Sequence, residues 1–193
     1  MEQGLPIEEQ LILVSPDDTL VGVAGKLQAH REGLLHRAFS IFIFDDAGRL
    51  LLQRRAHGKY HSGGLWTNTC CGHPRPGEAM PDAVRRRLGE EMGIPSDLRK
   101  VASLLYRAPL DQGLTEHEFV HIHAGTFTGM PRPDPAEAAG WEWINLPALS
   151  ARIQAEPDAF TVWFRQILER AGTFAVQAWA RGDRVPPLHM NAC

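Results

Sequence analysis

Apolar residues along the chain fall into short runs divided by turn-forming residues, a spacing that predicts strands with helices between and after them. Gln10–Val14 reads as a first strand, closed by the turn Ser15-Pro16-Asp17-Asp18. Residues 38–44 and 49–54 flank Asp45-Asp46-Ala47-Gly48, a hairpin signal. Further strand patterns cover residues 101–106, 116–127 and 141–144. A helix is predicted from Pro81 to about Met92, with Val84, Leu88 and Met92 as its apolar stripe and Gly93 as its stop. Helices are also expected over 146–154 and 159–170, with a third segment at 174–181. Residues 26–36 carry Lys, two His, Arg and Glu, so a surface loop or short helix is expected there rather than a core element. Residues 58–64 form a glycine-rich loop containing Lys59, Tyr60 and His61. Strands mixed with helices and hairpins predict an α+β sandwich rather than a strictly alternating parallel fold.

At 193 residues the chain is long enough for one domain with a real core, expected over residues 1–182 with a tail over 183–193. The part of the tail from residue 185 is expected to be loosely held. A net charge of −3 argues against a nucleic-acid binder. The longest apolar run, residues 38–44, is far short of a membrane span, and Met1-Glu2-Gln3-Gly4 lacks the features of a signal peptide. Cys70, Cys71 and Cys193 are an odd set with two members adjacent, which argues against a disulfide framework. The expectation is a reduced, cytoplasmic protein, and a monomer by default.

The chemistry concentrates in Thr67-Asn68-Thr69-Cys70-Cys71-Gly72-His73-Pro74, where a thiol precedes an imidazole by two positions. A thiol acts as base or nucleophile when nearby positive charge lowers its pKa, and His73, Arg55 and Lys59 are the expected sources for Cys71. Cys70 reads as a small buried hydrophobe. The same stretch runs into Gly72-x5-Glu78-x7-Arg86-Arg87-Leu88-Gly89-Glu90-Glu91-Met92-Gly93. Clustered carboxylates on such a helix are costly unless a cation neutralises them. Arg86 with Glu90, and Arg87 with Glu91, stand four apart and can pair along the helix.

Glu116 and Glu118 are two apart in a predicted strand and share one face, which Val120 and Ile122 continue inward. His117, His121 and His123 project from the opposite face. Two like charges leaning inward need a counter-ion, and His30, His36 and His73 are the neutral ligands available elsewhere. Three imidazoles with two carboxylates suit a six-coordinate Mn²⁺, Zn²⁺ or Fe²⁺ better than Mg²⁺ or Ca²⁺, which prefer oxygen shells. His57, His61 and His189 are assigned to surface or loop positions.

The helix pattern resembles the Nudix box, with one departure: Arg87 stands where a Nudix hydrolase carries a metal-holding Glu. Over residues 12–175 the chain resembles the type I isopentenyl-diphosphate isomerases. The motifs that carry this are Lys26-x3-His30, Arg54-Arg55, Trp66-Thr67-Asn68-x2-Cys71-Gly72-His73-Pro74, the altered Nudix helix, Tyr106-Arg107 and Glu116-x-Glu118. The resemblance implies a Nudix-like α/β/α sandwich around a mixed sheet. It implies Cys71 and Glu118 as paired acid–base groups on opposite faces of an alkene, with Tyr106 relaying or orienting a proton at Glu118. Trp163 would offer a π face to a carbocation-like intermediate. His30, His36, His73, Glu116 and Glu118 would hold a tightly bound metal, Mn²⁺ or Zn²⁺. Glu91 would hold Mg²⁺ bound with the substrate diphosphate, whose oxygens Lys26, Arg55 and Lys59 would neutralise. The implied partner is a small allylic or homoallylic diphosphate, with neither nucleic acid nor membrane. Two rivals make different demands. A Nudix hydrolase acting on a nucleoside diphosphate derivative would cleave the diphosphate, and Arg87 stands against it. A silent diphosphate-binding protein has no use for Cys71 and Glu118 together.

Overall fold

The computed structural model describes residues 9–183 and 188–190. The strands in chain order begin with β1 (Gln10–Val14), β2 (Leu20–Gly25), β3 (His36–Phe44), β4 (Leu50–Arg55) and β5 (Trp66–Thr67). They continue with β6 (Cys70–Gly72), β7 (Arg99–Pro109), β8 (Thr115–Thr126), β9 (Ala138–Ile144) and β10 (Leu188–Met190). The helices are α1 (Lys26–Glu32), α2 (Met80–Met92), α3 (Leu146–Ala155) and α4 (Val162–Ala180).

Strand β3 organises the molecule. Its sequence is nearly continuous in apolar residues and every position but Arg37 is buried, the mark of a strand covered on both faces. One edge pairs in parallel with β8, from His36 opposite Glu118 to Phe44 opposite Thr126. The other edge is shared: Leu13 of β1 meets His36, β6 pairs with Phe39 to Ile41, and β4 begins at Phe44. The main sheet order is β10-β7-β8-β3-β1-β2, with β4, β5, β6 and β9 branching from β3.

Alternation along β3 sorts its side chains into two cores. Ala38, Phe42 and Phe44 pack with Phe164, Ile167 and Trp179 of α4. Phe39, Ile41 and Ile43 pack with Val84, Leu88 and Met92 of α2. Helices therefore cover both faces of one mixed sheet, the α+β sandwich expected from the sequence. Helix α2 carries the predicted stripe, has Pro81 in its first turn, and ends at Gly93, whose φ of 62° is the left-handed conformation of a helix C-cap.

Several expectations need correction. The polar stretch 26–36 forms the short helix expected before the next strand, α1, and the first residue of β3, but His30 and His36 are fully buried rather than on the surface. Its polarity reflects inward-facing ligand chemistry as well as solvent contact. The two expected helices at 159–170 and 174–181 are the two segments of α4, which starts later than expected, at Val162, and is divided at Gly172 with φ 73° and ψ 159°, a backbone region open in practice only to glycine. His121 and His123 do face away from Glu116 and Glu118, yet both are buried, and His121 Nε2 lies 2.8 Å from Asp18 Oδ2. Within the expected tail, Leu188–Met190 pair in parallel with β7; residues 184–187 and 191–193 lie outside the described residues, as does the side chain of His189. Among the described residues no helix is long and apolar enough to cross a membrane.

Candidate active site

His30 projects from α1, His36 opens β3, His73 follows β6, and Glu116 and Glu118 alternate inward from β8. The parallel register sets His36 directly opposite Glu118, bringing the two ligand-bearing segments together. His30 Nε2 is 3.3 Å and His36 Nε2 is 3.9 Å from Glu116 Oε2. His36 Nε2 is 3.5 Å and His73 Nε2 is 3.1 Å from Glu118 Oε1. The Nδ1 atoms of His30 and His36 lie 2.7 and 2.8 Å from the carbonyls of Lys26 and Leu34. A proton on Nδ1 donated to those carbonyls leaves the Nε2 lone pairs turned to the centre.

This donor set fits a divalent cation. His36 Nε2 and Glu116 Oε2 are buried and lack a hydrogen-bond partner, a cost a native site seldom carries without an ion. Ligand atoms of His30, His36 and His73 lie within 4.8 Å of one another, as do those of His36, Glu116 and Glu118. The electrostatics agree. Burial opposes charge on His30, and its pairing with Glu116 overcomes this and raises its pKa. Burial likewise opposes ionisation of Glu118, but the imidazoles of His36 and His73 beside it hold its carboxyl well below the carboxylate range. The carboxylates draw positive charge inward, and a cation supplies it without protons.

A cavity of about 170 Å³ opens beside this cluster, with Cys71, His73, Glu116, Glu118 and Trp163 on its walls. Cys71 keeps part of its surface toward the cavity, and its Sγ lies 3.2 Å from Asn68 Oδ1 and 3.5 Å from Ser40 Oγ. The expectation of a lowered thiol pKa is reversed: burial pushes Cys71 up to about 11, so the sulfur carries its proton. Asn68 is fixed in turn, its amide donating to the carbonyls of Ile41 and Cys70. Behind Glu118, the buried Tyr106 hydroxyl donates to its Oε2 at 2.7 Å. Burial and the Glu118 charge both raise the Tyr106 pKa well above its usual value, so it too stays protonated.

The cations expected at a diphosphate also reach this cavity, each already engaged. Lys26 Nζ pairs with Glu9 at 2.7 Å, and Lys59 pairs with Glu137. Arg55 donates to the backbone carbonyls of His61 and Ser62 and stacks 5.2 Å over the ring of Trp163. One face of Trp163 is thus covered by Arg55, while its indole N–H donates to Thr67 Oγ1. Glu91 is buried, accepts from Gln53 Nε2 at 2.9 Å, and pairs with Arg87. Arg87, which spacing alone left as a partner of helix carboxylates, bridges Glu90, Glu91 and Glu137 and lines the cavity.

Sequence reasoning also missed His61. It is 5% exposed, with Nε2 3.7 Å from Glu116 Oε1. Burial and the nearby Arg55 charge lower its pKa to about 3, leaving a neutral imidazole. Its position beside Lys59 and Tyr60 was the available signal; its burial depends on Trp163, a hundred residues away. A larger groove of about 600 Å³ between α3 and α4 holds neither thiol nor imidazole.

Residues 34–164 match the NUDIX domain family. The chain is 63% identical over 174 residues to an isopentenyl-diphosphate Delta-isomerase of Burkholderia multivorans, spanning 90% of this chain and 99% of that protein. It is 51% identical over 175 residues to one from Serratia proteamaculans, spanning 91% and 98%. In fold it is similar to a solved protein of Deinococcus radiodurans, with a TM-score of 0.64 at 24% identity over 76% of this chain and 90% of that one. A MutT NUDIX hydrolase from Burkholderia pseudomallei gives 0.54 at 24% identity over 72% and 98%.

Proposed function

This chain belongs to the isopentenyl-diphosphate Delta-isomerase family of NUDIX-domain proteins, and on that premise we propose how its cavity works. The enzyme interconverts isopentenyl diphosphate and dimethylallyl diphosphate, moving a carbon–carbon double bond by protonation and deprotonation in isoprenoid precursor biosynthesis. The observation that carries the assignment of groups is the placement of a thiol, Cys71, and a carboxylate, Glu118, on the walls of one cavity.

One C–H bond forms at the terminal alkene carbon, and another breaks at the carbon next to the diphosphate-bearing one. The tertiary carbocation-like species between them needs a negative or π-rich wall that does not capture it. Cys71 and the Glu118–Tyr106 pair exchange the two protons, one group giving as the other takes. The reverse reaction starts from the opposite protonation states, so the pair shares one proton across the catalytic cycle. Trp163 lines the cavity, and the part of its ring that Arg55 leaves uncovered favours the cationic intermediate by about 2 kcal/mol when desolvated.

His30, His36, His73, Glu116 and Glu118 hold Mn²⁺ or Zn²⁺, supported by the orphaned His36 Nε2 and Glu116 Oε2. Bound there, the cation supplies the charge that keeps Glu118 ionised and oriented. Glu91 is the carboxylate for Mg²⁺ accompanying the diphosphate, and Lys26, Arg55 and Lys59 exchange their present partners for its oxygens. Arg87 joins them and leaves no full set of hydrolytic carboxylates. We also read residues 1–182 as one domain with a short tail, in a cytoplasmic monomer.

Isopentenyl diphosphate incubated with the metal-replete enzyme in deuterated water should yield dimethylallyl diphosphate bearing solvent deuterium, without phosphate release. Phosphate release would instead identify a hydrolase. No conversion would leave a binding protein.

A further inference from the structure

Three buried imidazoles, His30, His36 and His61, and the half-buried His73 gather at the β8 carboxylates. Each turns Nε2 toward the carboxylates of β8 and Nδ1 toward a neighbour outside the centre. For His30 and His36 that neighbour is a backbone carbonyl and for His61 it is Ser62 Oγ at 3.2 Å, whereas His73 Nδ1 stands 3.9 Å from Glu9 Oε1, too far for a hydrogen bond. A ligating imidazole whose other nitrogen is held by an outer group is the usual construction of a metal site. His61 follows it as His30 and His36 do.

Glu116 joins His61 to them. Its Oε2 faces His30 and His36, while its Oε1 is 3.7 Å from His61 Nε2, too long for a hydrogen bond. The ligand atoms of His30, His61 and Glu116 lie within 4.8 Å of one another, the same closeness found among the other donors. The ring is also held in place. Arg55 grips the His61 carbonyl at 3.1 Å, and the ring packs edge-on against Tyr60 and Trp163, with centroids 4.4 and 5.7 Å away. A donor fixed before the ion arrives costs little ordering on binding.

We infer that His61 is a fourth imidazole ligand of the metal centre, giving three carboxylate-linked histidines and two glutamates the sixth donor a six-coordinate ion requires. The inference rests on the histidine–glutamate centre proposed above. It favours an ion that accepts six mixed nitrogen and oxygen donors, such as Mn²⁺ or Co²⁺, over one content with four.

The test uses the full chain stripped by chelator and reloaded with Co²⁺ or Mn²⁺. The parent, His36→Ala, His61→Phe and His61→Asp are compared by metal affinity and by the Co²⁺ visible spectrum. The parent should show weak six-coordinate bands, and His36→Ala should lose the ion. His61→Phe should bind about 100-fold more weakly with stronger bands of lower coordination, and His61→Asp should recover most of the affinity. Pulsed electron paramagnetic resonance of the Mn²⁺-loaded parent, which needs no variant to fold, should count four coordinated imidazole nitrogens. Three nitrogens, or a His61→Phe protein with parental affinity and spectrum while His36→Ala loses the ion, would overturn the role of His61 alone. Parental metal binding by His36→Ala would overturn the centre itself, and His61 with it.

Discussion

Cys70 and Cys71 are neighbours in β6, and successive side chains of a strand point to opposite faces, so the two thiols enter different surroundings. Cys70 is fully buried among Phe39, Ile41 and Leu88 on the α2 side. Cys71 faces the cavity, held by Asn68 and Ser40. Replacing Cys71 by Ala should therefore lower kcat by at least about 100-fold, the scale of a lost acid–base group, with metal content unchanged. Replacing Cys70 by Ala should leave kcat within a few-fold and cost about 1 kcal/mol of stability in urea denaturation. Equal losses of kcat would contradict the division of roles. The adjacent thiols were distinguishable in the sequence by motif context alone. That the reactive one is protonated was not, because its pKa follows from burial by distant elements.

Helix α2 shows how an element can keep its family pattern and change its chemistry. The spacing from Glu78 through Glu91 was legible because a helix returns to the same face every three to four residues. In the folded protein those carboxylates are bound by arginines rather than left open. Glu78 takes Arg86 in a two-pronged contact, with bonds of 2.7 and 2.8 Å, and also accepts from the Arg75 amide. The Arg86 hydrogen bonds lower the Glu78 pKa from 4.5 to about 2. A group whose pKa is lowered by folding stabilises the protein above its unfolded value and loses that contribution as pH falls through its folded one. Glu78→Gln should thus cost about 0.5–1 kcal/mol at pH 7. The gap from the parent should close between pH 4.5 and about 2, read from denaturant midpoints across that range. A gap independent of pH would assign the loss to packing.

For the molecule as a whole, burial of His30, His36, Glu116 and Glu118 beside one another leaves the folded state with a charge cluster that an ion can neutralise. Chelator treatment should lower the melting temperature, and Mn²⁺ at about 100 times its dissociation constant should restore about 2.7 kcal/mol. For a domain of this size that is a rise of about 5–10 °C, measurable by calorimetry. An unchanged melting temperature across metal-free and metal-loaded protein would remove the ion from the stability of the fold.

The α+β class, the stripe of α2, the hairpin at Asp45, the shared face of Glu116 and Glu118, and the likeness that names the reaction were all present in the sequence by itself. Each depends on residues near one another in the chain, where strand and helix periods translate directly into direction. Tertiary structure alone decided which charges meet. Glu9 comes to Lys26, Glu137 to Lys59 and Arg87, and Arg55 to Trp163, across separations that no local period encodes. It also decided that the loop at residues 58–64 turns His61 inward and that Cys71 holds its proton. Burial and long-range pairing set both outcomes, and neither exists until the sheet has brought its two cores together.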